Sequence, residues 1–365
     1  MDTTSDDIIR RDVYTHDELT LLLQRQHPEE IERIRRAAHD TLLQTCGPRV
    51  SLRGLLEFSN ICVNDCFYCG IRAANPAPRR YCLSRSDILN AAQLCVRQGY
   101  GSLMLQSGQR NDSAFIDWLV SVVKEVKRTT RSETLPRGLG ITLGIGEQSE
   151  ETYARLREAG AHRYLVRIET TDPGLYRRIH PESQSFSERL EALYALRRTG
   201  FQVGTGVMIG LPGQTPAMLA RDIAFFKDMD IDMIGMGPYI PHPRTPLADS
   251  GHEIPSVQQR CTLSLLMIAL TRLVCKDVNI AATTALETIH PRGKQEGLRF
   301  GANVVMPQVS PEDTRREYLL YQGKPWQQHT QNAAWRQFLT DAARMGRRVA
   351  YNTWGDSPHF SARTA

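Results

Sequence analysis

The sequence predicts an α/β chain closed into a (β/α)8 TIM-type barrel. Three observations carry this reading. From residue 51 onward, short apolar runs alternate with amphipathic stretches of helical length. There are eight such runs, the strand count of a closed barrel. Glycine and proline punctuate their far ends, at Gly108, at Gly210-Leu211-Pro212-Gly213 and at Gly237-Pro238. The rival is an open doubly wound sheet, but no G-x-G-x-x-G follows the first run.

In chain order, residues 1–50 form an N-terminal helical extension, with capped starts such as Thr15-His16-Asp17-Glu18. The barrel then occupies 51–325. Its expected strands are 52–58, 102–106, 140–143, 163–168, 202–208, 233–236, 279–282 and 303–306. The expected helices between them include 85–98, 112–127, 150–159, 187–199, 216–228 and 257–274. A strand that must be followed by a helix before the next strand pairs parallel, so each pair is one βα unit. Residues 326–365, rich in Gln, Asn, Arg and Trp, are expected as a C-terminal extension packing on the barrel or fraying. The strand C-termini of such a barrel form its functional face.

Composition narrows the class. Hydrophobic residues make up 41% of the chain, enough to build a core without disulfide or metal staples. The net charge of +5, from 45 basic and 40 acidic residues, is a mild excess. Arg35-Arg36 and Arg79-Arg80 are pairs rather than tracts and have no RNA-binding aromatic signature beside them, so no nucleic-acid partner is expected. No run reaches the roughly 18 apolar residues of a membrane span. The polar, acidic start Met1-Asp2-Thr3-Thr4-Ser5-Asp6-Asp7 is unlike a signal peptide, and a cytoplasmic protein is expected. There the eight cysteines stay reduced. Cys46, Cys82, Cys95, Cys261 and Cys275 are scattered and read as small buried apolar residues.

The other three cysteines carry chemistry. Cys62, Cys66 and Cys69 stand at C-x3-C-x2-C spacing in the loop after the first strand. Thiolates are the protein ligands of iron–sulfur clusters. Three ligands on a four-iron cube leave one iron open to bind a cofactor or substrate. Structural zinc wants four ligands, and no fourth is adjacent. A redox pair would use Cys66 and Cys69 and leave Cys62 unexplained.

This loop resembles that of the radical S-adenosylmethionine superfamily. Its flanks, Arg53-Gly54-Leu55-Leu56-Glu57-Phe58-Ser59-Asn60 and Gly70-Ile71-Arg72, narrow the match. So do Tyr164-Leu165-Val166-Arg167-Ile168-Glu169-Thr170, the run from Gly204 to Thr215, and Gly235-Met236-Gly237-Pro238-Tyr239-Ile240-Pro241-His242-Pro243. Ala282-Thr283-Thr284-Ala285-Leu286 and Gly301-Ala302-Asn303-Val304-Val305-Met306-Pro307 follow. In this order and spacing, from about residue 50 to 325, they resemble the HydE family of [FeFe]-hydrogenase maturases.

The resemblance implies a barrel enclosing a long cavity, a [4Fe–4S] cluster on Cys62, Cys66 and Cys69, and S-adenosyl-L-methionine on its open iron. One electron then breaks a carbon–sulfur bond and yields a 5′-deoxyadenosyl radical. It implies that Arg167, Glu169 and Arg189 hold the methionine part of the cofactor, with Tyr68 beside the adenine. Gln109 stands in Ser107-Gly108-Gln109-Arg110, where the family commonly has an acid, so its contact to an ammonium is expected to be weaker. Gln106, Thr283, Thr284, Met306, Tyr318 and Tyr321 are expected to line the substrate cavity, and His242 its rim. Some family members add C-terminal cysteines for a second cluster. Here none follows Cys275, so one cluster is expected. The implied partners are a small-molecule or organometallic substrate derived from cysteine, an external one-electron reductant and other hydrogenase maturases. Rival readings are a methylornithine synthase that rearranges lysine, which should hold its substrate with an acidic or carboxylate-binding pair deep in the cavity, and a non-catalytic scaffold for iron–sulfur or metal fragments.

Overall fold

A computed structural model describes residues 5–324 and 333–364. Eight parallel strands close into a barrel: β1 (Arg49–Ser59), β2 (Ser102–Ser107), β3 (Gly140–Gly144), β4 (Ala161–Leu165), β5 (Gln202–Thr205), β6 (Met233–Ile234), β7 (Asn279–Ala282) and β8 (Val304–Val305). The ring closes where Ser51 and Leu52 of β1 pair with Val304 and Val305 of β8. Every expected strand is present; β5, β6 and β8 are shorter than the apolar runs that announced them, while β7 matches its run.

Alternation along the strands divides two environments. Leu56, Phe58, Leu103 and Leu105 are buried under the surrounding helices. Arg53, Met104, Thr142 and Met233 point the other way and line a cavity of about 40 Å³ in the lower lumen. Glu57 lies opposite Gln106 in the β1–β2 register, one layer higher.

The helices start where side chains cap them. Ser84 and Asp87 form a capping box at helix Arg85–Arg97, as Ser256 and Gln259 do at Val257–Cys275. Thr15 and Glu18 do the same at His16–Leu23, which packs on the barrel helix Pro216–Asp228. Helix Pro28–Thr45 lies against Val257–Cys275. The N-terminal helices therefore cover the outside of the barrel.

The end of the chain does more than lie alongside. A short strand, β9 (Arg348–Ala350), pairs with Arg49–Ser51 at the start of β1. The chain then runs beneath the barrel. Asp356 accepts from Arg163 Nη1 at 2.7 Å, His162 Nε2 at 3.1 Å and Gln202 Nε2 at 3.1 Å. Burial opposes the charge on Asp356, but His162 and Arg163 outweigh it and hold its carboxyl well below the usual range. Asp356→Ala would leave the buried Arg163 guanidinium without an anion. The expected loss is about 3 kcal/mol of stability, read as a lower urea midpoint at unchanged slope.

Candidate active site

The loop after β1 is held by its own backbone carbonyls. Arg80 donates to the carbonyls of Asn60, Ile71, Arg72 and Asn75 at 2.7–2.9 Å. The buried Asn60 amide donates to the carbonyls of Arg79 and Glu317, and its oxygen accepts from Tyr81 N. Arg72 and Asp65 pair at 2.7 Å. Segment 60–80 is thereby closed on itself at the C-terminal mouth of the barrel. Gly108 is required beside it, because a Cβ there would stand 2.4 Å from Ile61 O and 2.7 Å from Cys62 Cβ.

Cys62, Cys66 and Cys69 share this loop. Gln109 N donates to Cys62 Sγ at 3.4 Å, and Cys66 Sγ stands 3.2 Å from Gln184 Oε1. Burial pushes the Cys66 thiol up to about 11, against the pull of Arg189 and with the Cys62 charge adding to the rise. Burial also pushes Cys69 well up, and the charges of Cys66 and Cys62 add to it. The three sulfurs therefore lie in one another's fields, in a place where three bare thiolates would repel. A cationic iron core is the partner that lets all three ionise together. Among the described residues no group of three His, Cys, Asp or Glu side chains is arranged to hold a single metal ion. A cube takes its thiolates on three separate irons, so the donor set fits the cube better than zinc.

Around the sulfurs stand two linked ion pairs. Arg167 grips Glu169 with Nε at 2.9 Å to Oε1 and Nη2 at 3.0 Å to Oε2. Its remaining donors reach Gly235 O at 2.6 Å and Val207 O at 2.9 Å. Glu169 holds a left-handed backbone, φ 64°, which costs a non-glycine residue about 1–3 kcal/mol. It is pinned there because its N–H donates to Gly206 O and its carbonyl accepts from Met208 N. That turn folds the carboxylate back onto Arg167. Arg189, on helix Phe186–Arg198, pairs with Glu147 and donates to Arg167 O at 2.5 Å. Burial works against the Arg189 charge, and Glu147 more than restores it.

Gln109 has a defined task. Its Oε1 accepts from Asn64 Nδ2 at 2.9 Å and from Glu147 N at 3.0 Å, tying the cysteine loop to the end of β3. Tyr68 is half-buried and edge-on to His180, ring centroids 5.4 Å apart, with its hydroxyl 3.4 Å from His180 Nε2. Gln106 Nε2 donates to the buried Tyr318 hydroxyl at 3.4 Å. Tyr321 is half-buried close by, within the fields of Glu57 and Arg167. Thr283 donates to Met236 O at 3.2 Å, and Thr284 opens helix Thr284–Ile289. Met306 lies lower, beside Arg53 and Met104 in the lumen. The mouth thus gathers Tyr68, Gln109, Arg167, Glu169 and Arg189 around the cysteines, and leaves Met306 a layer below.

Several expectations need correction. The apolar run 163–168 is not one strand: β4 ends at Leu165, and the rest turns toward Glu169. His242 is not at an open rim. It is 9% exposed, and its ring packs so close to Gly70 that a Cβ there would meet it at 2.5 Å. Cys82 is exposed, and half-buried Cys46 lies 3.3 Å from Arg272 Nη1. Glu147, His180 and Gln184 were not expected at all. Glu147 follows Gly144 and Gly146 at a strand end, which was the available signal. His180 comes with helix Pro173–Ile179, announced by Asp172 as cap and Pro173 at the first turn.

A closed parallel barrel whose mouth carries three thiols on one loop, flanked by partly buried Arg–Glu pairs, fits an enzyme class that works with an iron–sulfur cluster and a charged cofactor. The Radical SAM superfamily model matches residues 56–226. The [FeFe] hydrogenase maturase subunit HydE of Thermotoga maritima is 43% identical over 279 residues, 76% of this chain and 75% of that one. The chain belongs to the radical SAM superfamily, as a HydE-like enzyme. The 3-methylornithine synthase of Methanosarcina acetivorans is 27% identical over 87% of this chain and 85% of its own. In fold, the chain matches the crystal structure of the methylornithine synthase PylB with a TM-score of 0.77 at 23% identity, covering 95% and 97% of the two chains. It matches HydG, a maturase of the [FeFe]-hydrogenase, with 0.78 at 19% identity, covering 96% and 77%. Among the described residues no helix is long and apolar enough to cross a membrane.

Proposed function

We propose that this enzyme cleaves S-adenosyl-L-methionine reductively and serves the assembly of the [FeFe]-hydrogenase active site. Its substrate would be a small sulfur-containing molecule, such as a cysteine-derived iron carbonyl/cyanide species. The observation that carries this is the 43% identity to the Thermotoga maritima maturase over three-quarters of both chains. Cys62, Cys66 and Cys69 would hold one [4Fe–4S] cluster, since no cysteine follows Cys275 to hold a second. When bound, the cluster supplies one electron to break a carbon–sulfur bond of the cofactor, which yields the 5′-deoxyadenosyl radical.

The chain's own groups do the positioning. Arg189, fixed by Glu147 and the Arg167 carbonyl, would offer its remaining N–H donors to a carboxylate. Glu169, fixed by Arg167, presents a carboxylate to an ammonium. Tyr68 walls the site beside Cys66 and Cys69, and the barrel excludes water from the chemistry. Gln106, Thr283, Thr284, Tyr318 and Tyr321 face the substrate, with Met306 beneath. A cytoplasmic site of action, an external one-electron reductant and other maturases as partners complete the reading.

The test is functional replacement. In a host that makes [FeFe]-hydrogenase through its own HydE, this gene should restore hydrogen evolution to a HydE deletion strain. Absence of rescue by a well-expressed, cluster-loaded protein would overturn the assignment. One observation keeps a second reading in view. A buried acid–base pair does lie in the upper lumen, Glu57 with Lys324, as a lysine mutase would need. The higher identity to the maturase, 43% against 27% for the methylornithine synthase, favours the maturase. Conversion of lysine to 3-methylornithine by the purified enzyme would reverse that preference.

A further inference from the structure

The segment 317–324 runs from the end of the barrel across its mouth and touches the cysteine loop at each step. Glu317 O accepts from Asn60 Nδ2 at 2.9 Å, and its carboxylate accepts from Arg79 N at 2.9 Å. Leu320 O accepts from Gly70 N at 2.9 Å, next to Cys69. The approach is so close that a Cβ on Gly70 would lie 2.0 Å from Leu319 O. Gln322 N donates to Pro241 O at 3.2 Å, in the loop that follows β6. The segment carries Tyr321 and Tyr318, whose hydroxyl accepts from Gln106 Nε2 at 3.4 Å.

Lys324 ends this segment by plunging inward. Its ammonium meets Glu57 on β1, donates to Tyr318 O at 2.9 Å and lies 4.8 Å from the Tyr318 ring centroid. Glu57 Oε2 also accepts from Gln308 Nε2 at 3.0 Å. The two side chains are 5% and 1% exposed, so water cannot take over for either partner while the segment stays in place. A surface pair would contribute little, but a buried one leaves an uncompensated charge when a single partner goes. The mechanism above uses neither residue.

We infer that segment 317–324 is a strap closing the barrel mouth beside Cys69, and that Glu57 and Lys324 are positioning residues that latch it. For substrate to pass the strap, this pair must open. The pair also sets where the Tyr318 and Tyr321 side chains stand.

Two measurements test this, on wild type, Lys324→Met, and the double variant Glu57→Gln with Lys324→Met. The first is amide hydrogen exchange, which needs no cluster and so does not depend on the proposed function. The second, which does rest on that reading, is the rate at which reconstituted protein gives up iron to a strong chelator. Lys324→Met leaves Glu57 as a buried lone charge and should open the strap. Peptides covering 60–72 and 314–324 should then exchange at least about tenfold faster, and iron should be lost faster by a similar factor. The double variant, with no stranded charge, should recover most of both. Faster exchange throughout the barrel would show a merely structural pair and overturn the proposal. So would wild-type exchange in those two peptides, or a double variant as open as Lys324→Met. Protein that shows the exchange pattern but never binds iron would overturn the cluster reading and leave the latch standing.

Discussion

Cys66→Ala is expected to abolish formation of 5′-deoxyadenosine from S-adenosylmethionine under dithionite, a loss of at least about 1000-fold. The fold should survive. Among the described residues Cys66 contributes no strand pairing and its thiol meets Gln184 and its own neighbours, while segment 60–80 is held by Arg80 and Asn60. On the proposed reading, removal of one thiolate would leave two ligands for a cluster that takes three from this loop. Anaerobic reconstitution should therefore give about four irons per wild-type chain and a visible iron–sulfur absorbance that the variant lacks, with matching circular dichroism. Wild-type protein that loads one zinc, or that loads iron without cleaving the cofactor, would sink the catalytic reading.

Glu169→Gln should produce the second large effect, and a different one. The amide keeps the shape of the carboxylate and one acceptor but not the charge. Arg167 then keeps its bonds to Gly235 O and Val207 O while its half-buried cation loses its anion. A cofactor ammonium would lose its carboxylate acceptor, and a hydrogen bond to a charged group contributes about 1.5–3 kcal/mol, so cofactor affinity should fall by roughly 10-fold or more. Cluster content should stay at wild type, because Glu169 holds no part of the cysteine loop by a hydrogen bond. Equal cofactor binding by the variant, measured by calorimetry on the reconstituted protein, would exclude Glu169 from cofactor recognition. A combined loss of iron and affinity would assign it to loop architecture instead.

The contrast between these residues shows what kind of information each carried. The cysteines were legible as a group because their placement is local: three thiols within eight residues are carried by one loop. Arg167 and Glu169 were singled out only through family resemblance, and their conformation was not legible. The run 163–168 is as apolar as a buried strand, and nothing inside it says that the chain must leave the ladder at Leu165. The turn exists because Gly206 O and Met208 N, from the neighbouring strand and its extension, hold Glu169 at a positive φ. Gln109 was read as a weakened cofactor contact. Its two donors, Asn64 and Glu147, lie 45 and 38 residues away, and only folding brings them to one oxygen.

By itself, then, the sequence determined the alternation of strand and helix, the closed eight-stranded class, and the grouping of three thiols on one loop. Those properties depend on periodicity and on spacing within a single loop. Tertiary structure alone decided which charges face one another: Arg189 with Glu147, Asp356 with Arg163, Glu57 with Lys324. The physical reason is that burial makes charge pairing obligatory. Which partner answers is set by where a closed barrel places distant strands and the chain ends, a relation that no local pattern encodes.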